Sequence, residues 1–356
     1  MTQTAAGRKF SLGIPLFNVL ATYQLRWLRG DLVAGITACV VMIPSVIAYA
    51  ELVHMPPITG IYAALAASIG YALFASSRHV IAGPDAAIGL LAGTAILPLA
   101  AGDPSRIPAL AATLAVLSGV ILILAARLKV GVIADFLSRP ALIGYLNGAS
   151  LILAATQLGK LFNVHTDGEH FFPLLWQVIT QLPQAHMPTF LFGFAMILTL
   201  ILLNKHLPRV PSALAVSAIG ILAAQFMGLE AMGIKLVGEV PSGIPELALP
   251  TFHFSDISAL APAAVAIAFL AFSDGILLAQ TFANKNRYEI TPNAELNALG
   301  VANLGAGLLQ GFPVSASQSR TSIVDSTGGK TQVAQLIAAA GPLIGLKPLF
   351  EGNAVD

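Results

Sequence analysis

Apolar stretches about as long as a membrane-crossing helix recur along almost the whole chain, separated by short polar breaks. An α-helix needs about 20 predominantly apolar residues to cross the hydrocarbon of a bilayer. On that measure the pattern predicts spans near 32–50, 57–75, 84–101, 107–126, 140–159, 187–204, 210–227, 258–282, 292–309, 313–326 and 331–346. Residues 1–30 lack a compact apolar run with a small-residue cleavage site. They read as a cytoplasmic lead-in that could hold an interfacial helix, not as a signal peptide. The polar stretch 229–256 has Gly and Pro but no long apolar run, and it reads as an extracytoplasmic connection between two bundles.

Three places break the helical pattern. Met42-Ile43-Pro44-Ser45 sets a proline in the middle of the first span, where it removes a backbone hydrogen bond and predicts a kink. His79-Val80-Ile81-Ala82-Gly83-Pro84 reads as a short extended piece followed by a helix starting at Pro84, and Leu309-Gln310-Gly311-Phe312-Pro313 repeats that pattern. Pro44 and Pro84 are 40 residues apart, and Asp274 and Pro313 are 39 apart. These spacings make the third and tenth spans corresponding members of two seven-span halves, which an odd span count relates by inversion. Paired interrupted spans of this kind point to a transporter's central site. The predicted fold is therefore an all-α polytopic membrane protein with a seven-plus-seven inverted repeat and half-helices at spans 3 and 10. Residues 31–228 form the first repeat (spans 1–7). Residues 257–356 hold only spans 8–11, so the second repeat is incomplete, and Gly341-Pro342 is expected to break the eleventh span.

Composition supports the membrane reading. The chain is 56% hydrophobic and 10% charged, with a mean hydropathy of +0.81, whereas average soluble domains carry roughly 25% charged residues. A net charge of +1 offers no polyanion-binding face, which argues against nucleic acid as a partner. Cys39 is the one cysteine, so neither a disulfide framework nor a thiolate metal cluster is available. With the N-terminus inside, twelve of the eighteen Lys and Arg fall in the lead-in and inner loops and three in outer loops, leaving Arg139, Arg320 and Lys347 unassigned. The positive-inside rule favours that orientation, with the inner (plasma) membrane as the expected location.

Two half-helices aiming their N-termini at one point suit an anion, because each presents about half a positive charge and unpaired N–H groups. Backbone donors near Ala86, Ala87, Ser315 and Ser317 would replace part of its hydration. Counted from Pro313, Ser317 and Arg320 share one helical face, with Ser315, Ser319 and Ser322 opposite and Arg320 about 10 Å inside the helix. An arginine at that depth either binds the substrate or pairs with Asp274 or a carbonyl. Asp274, within the eighth span, either couples transport to H⁺ or Na⁺ or completes that ion pair. Asp85 reads as a helix-end carboxylate, or as a group whose protonation gates the anion. Ser45 and Tyr49 flank the kink and either line the site or simply pack. Asn297 and Asn303, among Gly300, Gly305 and Gly307, read as helix-packing glue. His165 and His170 read as solvated residues of an outer loop. Gly329-Lys330-Thr331 imitates the end of a phosphate loop, but Val324 stands where the first glycine is required. No nucleophile, base and orienting group fall together, so an enzyme is not expected.

With these residues in place, the chain resembles the SulP (sulfate permease) family of anion transporters, the family that includes prestin. The resemblance covers about residues 26–340. It rests on Gly30-Asp31-Leu32-Val33-Ala34-Gly35-Ile36-Thr37 leading to Ile43-Pro44, and on Ala48-Tyr49-Ala50. Pro56-Pro57-Ile58-Thr59-Gly60-Ile61-Tyr62, Gly83-Pro84-Asp85-Ala86-Ala87 and Gly311-Phe312-Pro313-Val314-Ser315-Ala316-Ser317-Gln318-Ser319-Arg320-Thr321 complete it. The resemblance implies a core domain (spans 1–4 and 8–11) moving against a gate domain, with substrate between spans 3 and 10. Ser317, Ser319 and Arg320 then form the tenth-span substrate face, and Asp274 matches an acidic residue linked to cation or proton coupling.

Three departures accompany it. Ser45 replaces a frequent Gln, and Leu278 replaces a hydroxyl found in sodium-coupled members. The closing spans and the C-terminal STAS domain do not appear in the sequence. The expected function is secondary transport of a small inorganic or carboxylate anion (sulfate, bicarbonate or dicarboxylate) by alternating access. H⁺ or Na⁺ is the coupling ion, no other cofactor is implied, and the partners are the bilayer and, as one option, a second copy in a homodimer. The rival expectations are a truncated, non-transporting chain or partial subunit, and a proton-coupled nucleobase permease of the same fold.

Overall fold

The computed structural model describes residues 15–131, 151, 154–155, 157–164, 166, 171–207, 212–236 and 254–344. Its helices are α1 (Pro15–Ala21), α2 (Leu25–Leu52), α3 (Pro57–Phe74), α4 (Ala86–Ala100), α5 (Ile107–Arg127) and α6 (Phe171–Gln181). They continue as α7 (Met187–His206), α8 (Ser212–Phe226), α9 (Phe254–Asn286), α10 (Pro292–Leu308), α11 (Gln318–Ser326) and α12 (Val333–Ile344). Two three-residue strands, β1 (Ile81–Gly83) and β2 (Ser315–Ser317), complete the list. Helices α2, α3, α5, α7 and α9 are long and apolar enough to cross a bilayer.

The order helix, helix, strand, half-helix, helix occurs twice, as α2-α3-β1-α4-α5 and as α9-α10-β2-α11-α12. Helix α10 packs against both α3 and α5, and α12 against α2 and α3, so the two halves interlock. Between helices in lipid there is little hydrophobic driving force, and close van der Waals contact must supply the adhesion. Small residues make that contact possible here. A Cβ on Gly119 would come 2.7 Å from the Gly300 carbonyl, and one on Gly300 would come 2.9 Å from that of Gly119. These two positions bring α5 and α10 into backbone contact, which is the packing role expected of the glycines around Asn303.

A carboxylate near the start of each repeat's first helix fastens the turn leading into the helix that follows the other repeat's half-helix. Asp31, fully buried in α2, accepts from Lys330 N (2.6 Å), Thr331 N (3.1 Å) and Thr331 Oγ1 (2.7 Å), just before α12. Asp256, in the first turn of α9, pairs with Arg106 Nη2 at 3.1 Å, just before α5.

The structure departs from the sequence expectations in several places. Helix α2 starts at Leu25, so much of the supposed lead-in is helical, and it runs through Pro44 without a break. One missing backbone bond is tolerated in a long helix whose neighbours hold it. Helix α12 likewise continues through Gly341-Pro342 to Ile344. Helix α6 lies in a stretch read as an outer loop; at 11 residues it is too short to register as a span. His165, His170 and most of the predicted span 140–159 lie outside the described residues.

Candidate functional site

The two strands pair antiparallel, with Ile81 opposite Ser317, Ala82 opposite Ala316 and Gly83 opposite Ser315. Helix α4 leaves from the far end of β1 and α11 from the opposite end of the ladder, so two half-helices set out in opposite directions from one centre. Their N-termini therefore face that centre from two sides. This ladder was not anticipated, and it corrects both predicted helix starts. Helix α4 begins at Ala86, two residues after Pro84, and α11 begins at Gln318, five residues after Pro313. Arg320 is thus the third residue of α11, in its first turn rather than about two turns inside. Ser315 and Ser317 belong to a strand, and the helical-wheel grouping drawn from Pro313 does not apply to them.

Extended backbone inside a membrane protein must find hydrogen-bond partners within the protein. Beyond the ladder, side chains supply them. Thr321 Oγ1 accepts from Ile81 N at 3.0 Å, and Gln332 Nε2 donates to the carbonyls of Ser77 (2.8 Å) and Val80 (3.1 Å). With its amide oriented to satisfy both ends, Gln335 accepts from Ala82 N and donates to Val80 O, each at 3.0 Å. On the other strand, Asn303 accepts from Val314 N (3.0 Å) and donates to Val314 O (2.9 Å), the part a neighbouring strand would play. Glu295, 1% exposed in the first turn of α10, accepts from Tyr71 Oη, Ser76 N and Oγ and Ser77 N, securing the turn that leads to β1.

Sequence reasoning missed Gln332, Gln335 and Glu295 as organisers of this centre. The available signal was polarity inside an apolar run: Gln332 and Gln335 are three apart, on one helical face of an otherwise apolar span.

Arg320 is 2% exposed and reaches across the ladder from α11. Its Nη2 donates to the Pro84 carbonyl at 2.7 Å, while its Nε has no protein partner. A Cβ on Gly83 would approach that Nη2 to 3.1 Å, so the guanidinium lies against bare backbone. Asp85 is the N-cap of α4, its Oδ1 accepting from Ala87 N at 3.2 Å. The Asp85 carboxylate and the Tyr49 hydroxyl, on α2, are electrostatic neighbours of Arg320. Among the described residues, ion pairs join Arg106 to Asp256 and Lys285 to Asp325, and none joins Arg320 to Asp85.

The remaining predicted site residues divide. Ser317 Oγ and Ser319 Oγ are 3.4 Å apart at the start of α11, and Ser315, 1% exposed, turns its hydroxyl toward the Ala316 carbonyl. Ala86 and Ala87 open α4. Ser45 is half-buried and its hydroxyl folds back onto the Val41 carbonyl at 3.2 Å. Asp274 lies mid-way along α9, next to Gly275, whose Cβ would stand 3.8 Å from Ala316 Cβ in β2.

Apolar spanning helices, two inverted repeats and facing half-helices at the centre define an integral membrane protein of the transporter class, not an enzyme. The chain belongs to the sulfate permease family, which matches residues 28–347. Among curated relatives, a probable sulfate transporter of Mycobacterium tuberculosis is 40% identical over 337 residues, covering 95% of this chain and 59% of the relative. Human solute carrier family 26 member 6 is 31% identical over 355 residues, covering 92% of this chain and 46% of the relative. The chain thus spans about half to three-fifths of the length of these relatives. Among solved structures, the transmembrane domain of a cyanobacterial bicarbonate transporter, BicA, matches with a TM-score of 0.68 at 23% identity, covering 92% of this chain and 85% of that one. The murine anion transporter Slc26a9 in its inward-facing state matches with a TM-score of 0.71 at 21% identity, covering 98% and 62%.

Proposed function

We propose that this protein is a secondary transporter of a small oxyanion or carboxylate, working by alternating access, with the anion held between the N-terminal ends of α4 and α11. The single observation that carries the reading is Arg320. A buried guanidinium is costly, and this one keeps Nε unpartnered beside two helix ends. Donors directed into a water-poor centre from α11, Arg320 and the α4 end would replace the water an anion gives up. Relatives named as sulfate transporters make sulfate the first substrate to try, with bicarbonate and dicarboxylates after it. Asp274 on α9, beside β2, is the proposed carrier of a coupling H⁺ or Na⁺. The N-terminus is assigned to the cytoplasm by the distribution of Lys and Arg.

The experiment is radiolabelled sulfate uptake into proteoliposomes holding the full-length protein. Arg320→Ala is expected to reduce uptake at least a hundredfold while the protein remains folded in detergent. Uptake like that of the unmodified protein would remove the site assignment. Asp274→Asn is expected to weaken the response of sulfate flux to an imposed proton or sodium gradient, and an unchanged response would take that role from it.

A further inference from the structure

The two half-helix ends are not equivalent, and the difference bears on which anions the site admits; this inference rests on the reading of the centre as an anion site. The N-terminus of α4 is capped by a carboxylate, Asp85, bonded to Ala87 N at 3.2 Å. The N-terminus of α11 has Ser317 in the capping position, yet that side chain makes no cap bond. Its hydroxyl faces Ser319 Oγ instead. One end is already occupied by a negative group, and the other is left open.

Asp85 follows the residue whose carbonyl holds Arg320 Nη2, so carboxylate and guanidinium are neighbours without a direct ion pair. A further titratable group near this point is Tyr49 from α2, and α9, which packs against α4, carries Asp274. Counting Arg320 and about +0.5 for each half-helix end, an ionised Asp85 leaves the centre near +1, and a protonated one near +2. An ionised carboxylate is an acceptor only, as is every oxygen of a fully deprotonated oxyanion. Two such oxygens come into direct contact only with a hydrogen between them.

We propose that Asp85 makes this site take an oxyanion together with one proton. An anion with its own acidic hydrogen, such as hydrogencarbonate, binds while Asp85 is ionised and donates its O–H to the carboxylate. A fully deprotonated dianion such as sulfate binds only after Asp85 has taken a proton from solution, and the carboxyl O–H then donates to the sulfate oxygen. In both cases one proton accompanies one anion, on the ligand in the first and on the protein in the second. Asp85 is a specificity residue that counts protons, separate from any coupling ion on α9.

The test measures sulfate and hydrogencarbonate uptake by the full-length protein across neutral pH, in unmodified, Asp85→Asn, Asp85→Glu, Asp274→Asn and Arg320→Ala forms. For the unmodified protein the sulfate KM is expected to rise about tenfold per unit of rising pH where Asp85 is mostly ionised. The hydrogencarbonate KM should stay nearly flat. Asp85→Asn should flatten the sulfate profile and shift selectivity toward sulfate by tenfold or more, while Asp85→Glu, which keeps the carboxylate, retains the slope. A sulfate profile that survives in Asp85→Asn, or that vanishes only in Asp274→Asn, overturns the proposal. Arg320→Ala separates the two levels. If it stops uptake of both anions while Asp85→Asn changes nothing, the anion site stands and the proton requirement falls. If it stops neither, the anion site itself falls and the proton requirement with it.

Discussion

An arginine with one unpartnered nitrogen, its guanidinium lying against a glycine with no side chain, concentrates much of the chemistry of this protein at the scale of single residues. Arg320 Nη2 has its place because Gly83 presents only backbone, and a methyl there would come within 3.1 Å of it. Gly83→Ala is therefore expected to push the guanidinium off the Pro84 carbonyl. The loss should appear as a sulfate KM raised about tenfold with the melting temperature in detergent nearly unchanged; an unchanged KM would show that the arginine tolerates displacement. Arg320, Asp85 and Asp274 were legible in the sequence because a charge in an apolar run stands out. The sequence offered Asp274 or a carbonyl as the partner of Arg320, and the structure gives it a carbonyl, that of Pro84. The nearness of Asp85 and of the Tyr49 hydroxyl was not legible. Charge marks a residue as costly, but the partner that offsets the cost comes from tertiary contact across 236 residues of chain.

At the scale of elements, the interrupted spans were legible and their interior was not. Gly-Pro punctuation located the breaks, but three-residue strands are too short to show an alternating pattern, and the partner of β1 lies in the other repeat. Proline was read as the first residue of a helix, the commonest meaning of that signal. Here, Pro84 precedes a capping aspartate, and Pro313 precedes a strand. What holds those strands is a set of side-chain amides and hydroxyls standing in for missing neighbours. Asn303 is the clearest case, since it satisfies both the N–H and the carbonyl of Val314. Asn303→Leu leaves both groups unpaired at a buried site, at a cost of about 1–3 kcal/mol for each. The expected result is a melting temperature several degrees lower in detergent, together with weaker sulfate binding. A variant as stable as the parent would mean that Val314 finds other partners.

For the whole molecule, the inverted repeat is visible in the two carboxylate fastenings. Asp31 holds the approach to α12 and Asp256 the approach to α5, so each half secures the helix that follows the half-helix of the other. Inversion places those fastenings on opposite sides of the membrane. The proposed orientation puts the Arg106 end outside and the Lys330 end inside, which can be checked in a Cys39→Ala background. Ser105→Cys, exposed, should react with an impermeant maleimide in intact cells, and Lys330→Cys, also exposed, only after permeabilisation. The opposite pattern would reverse the topology. The five helices long and apolar enough to cross a bilayer among the described residues all fall on predicted spans, whereas the interlocking of the halves depends on backbone contact at small residues such as Gly119 and Gly300.

The ladder between β1 and β2 has a mechanical consequence. Its hydrogen bonds stitch one half of the chain to the other at a buried centre, where no bulk water waits to replace a broken bond. If the centre holds an anion as proposed, its two jaws cannot open by parting from each other. They would form one stiff cradle, and a cargo resting in it would have to be ferried, cradle and all, past whatever surrounds it before stepping off on the other side.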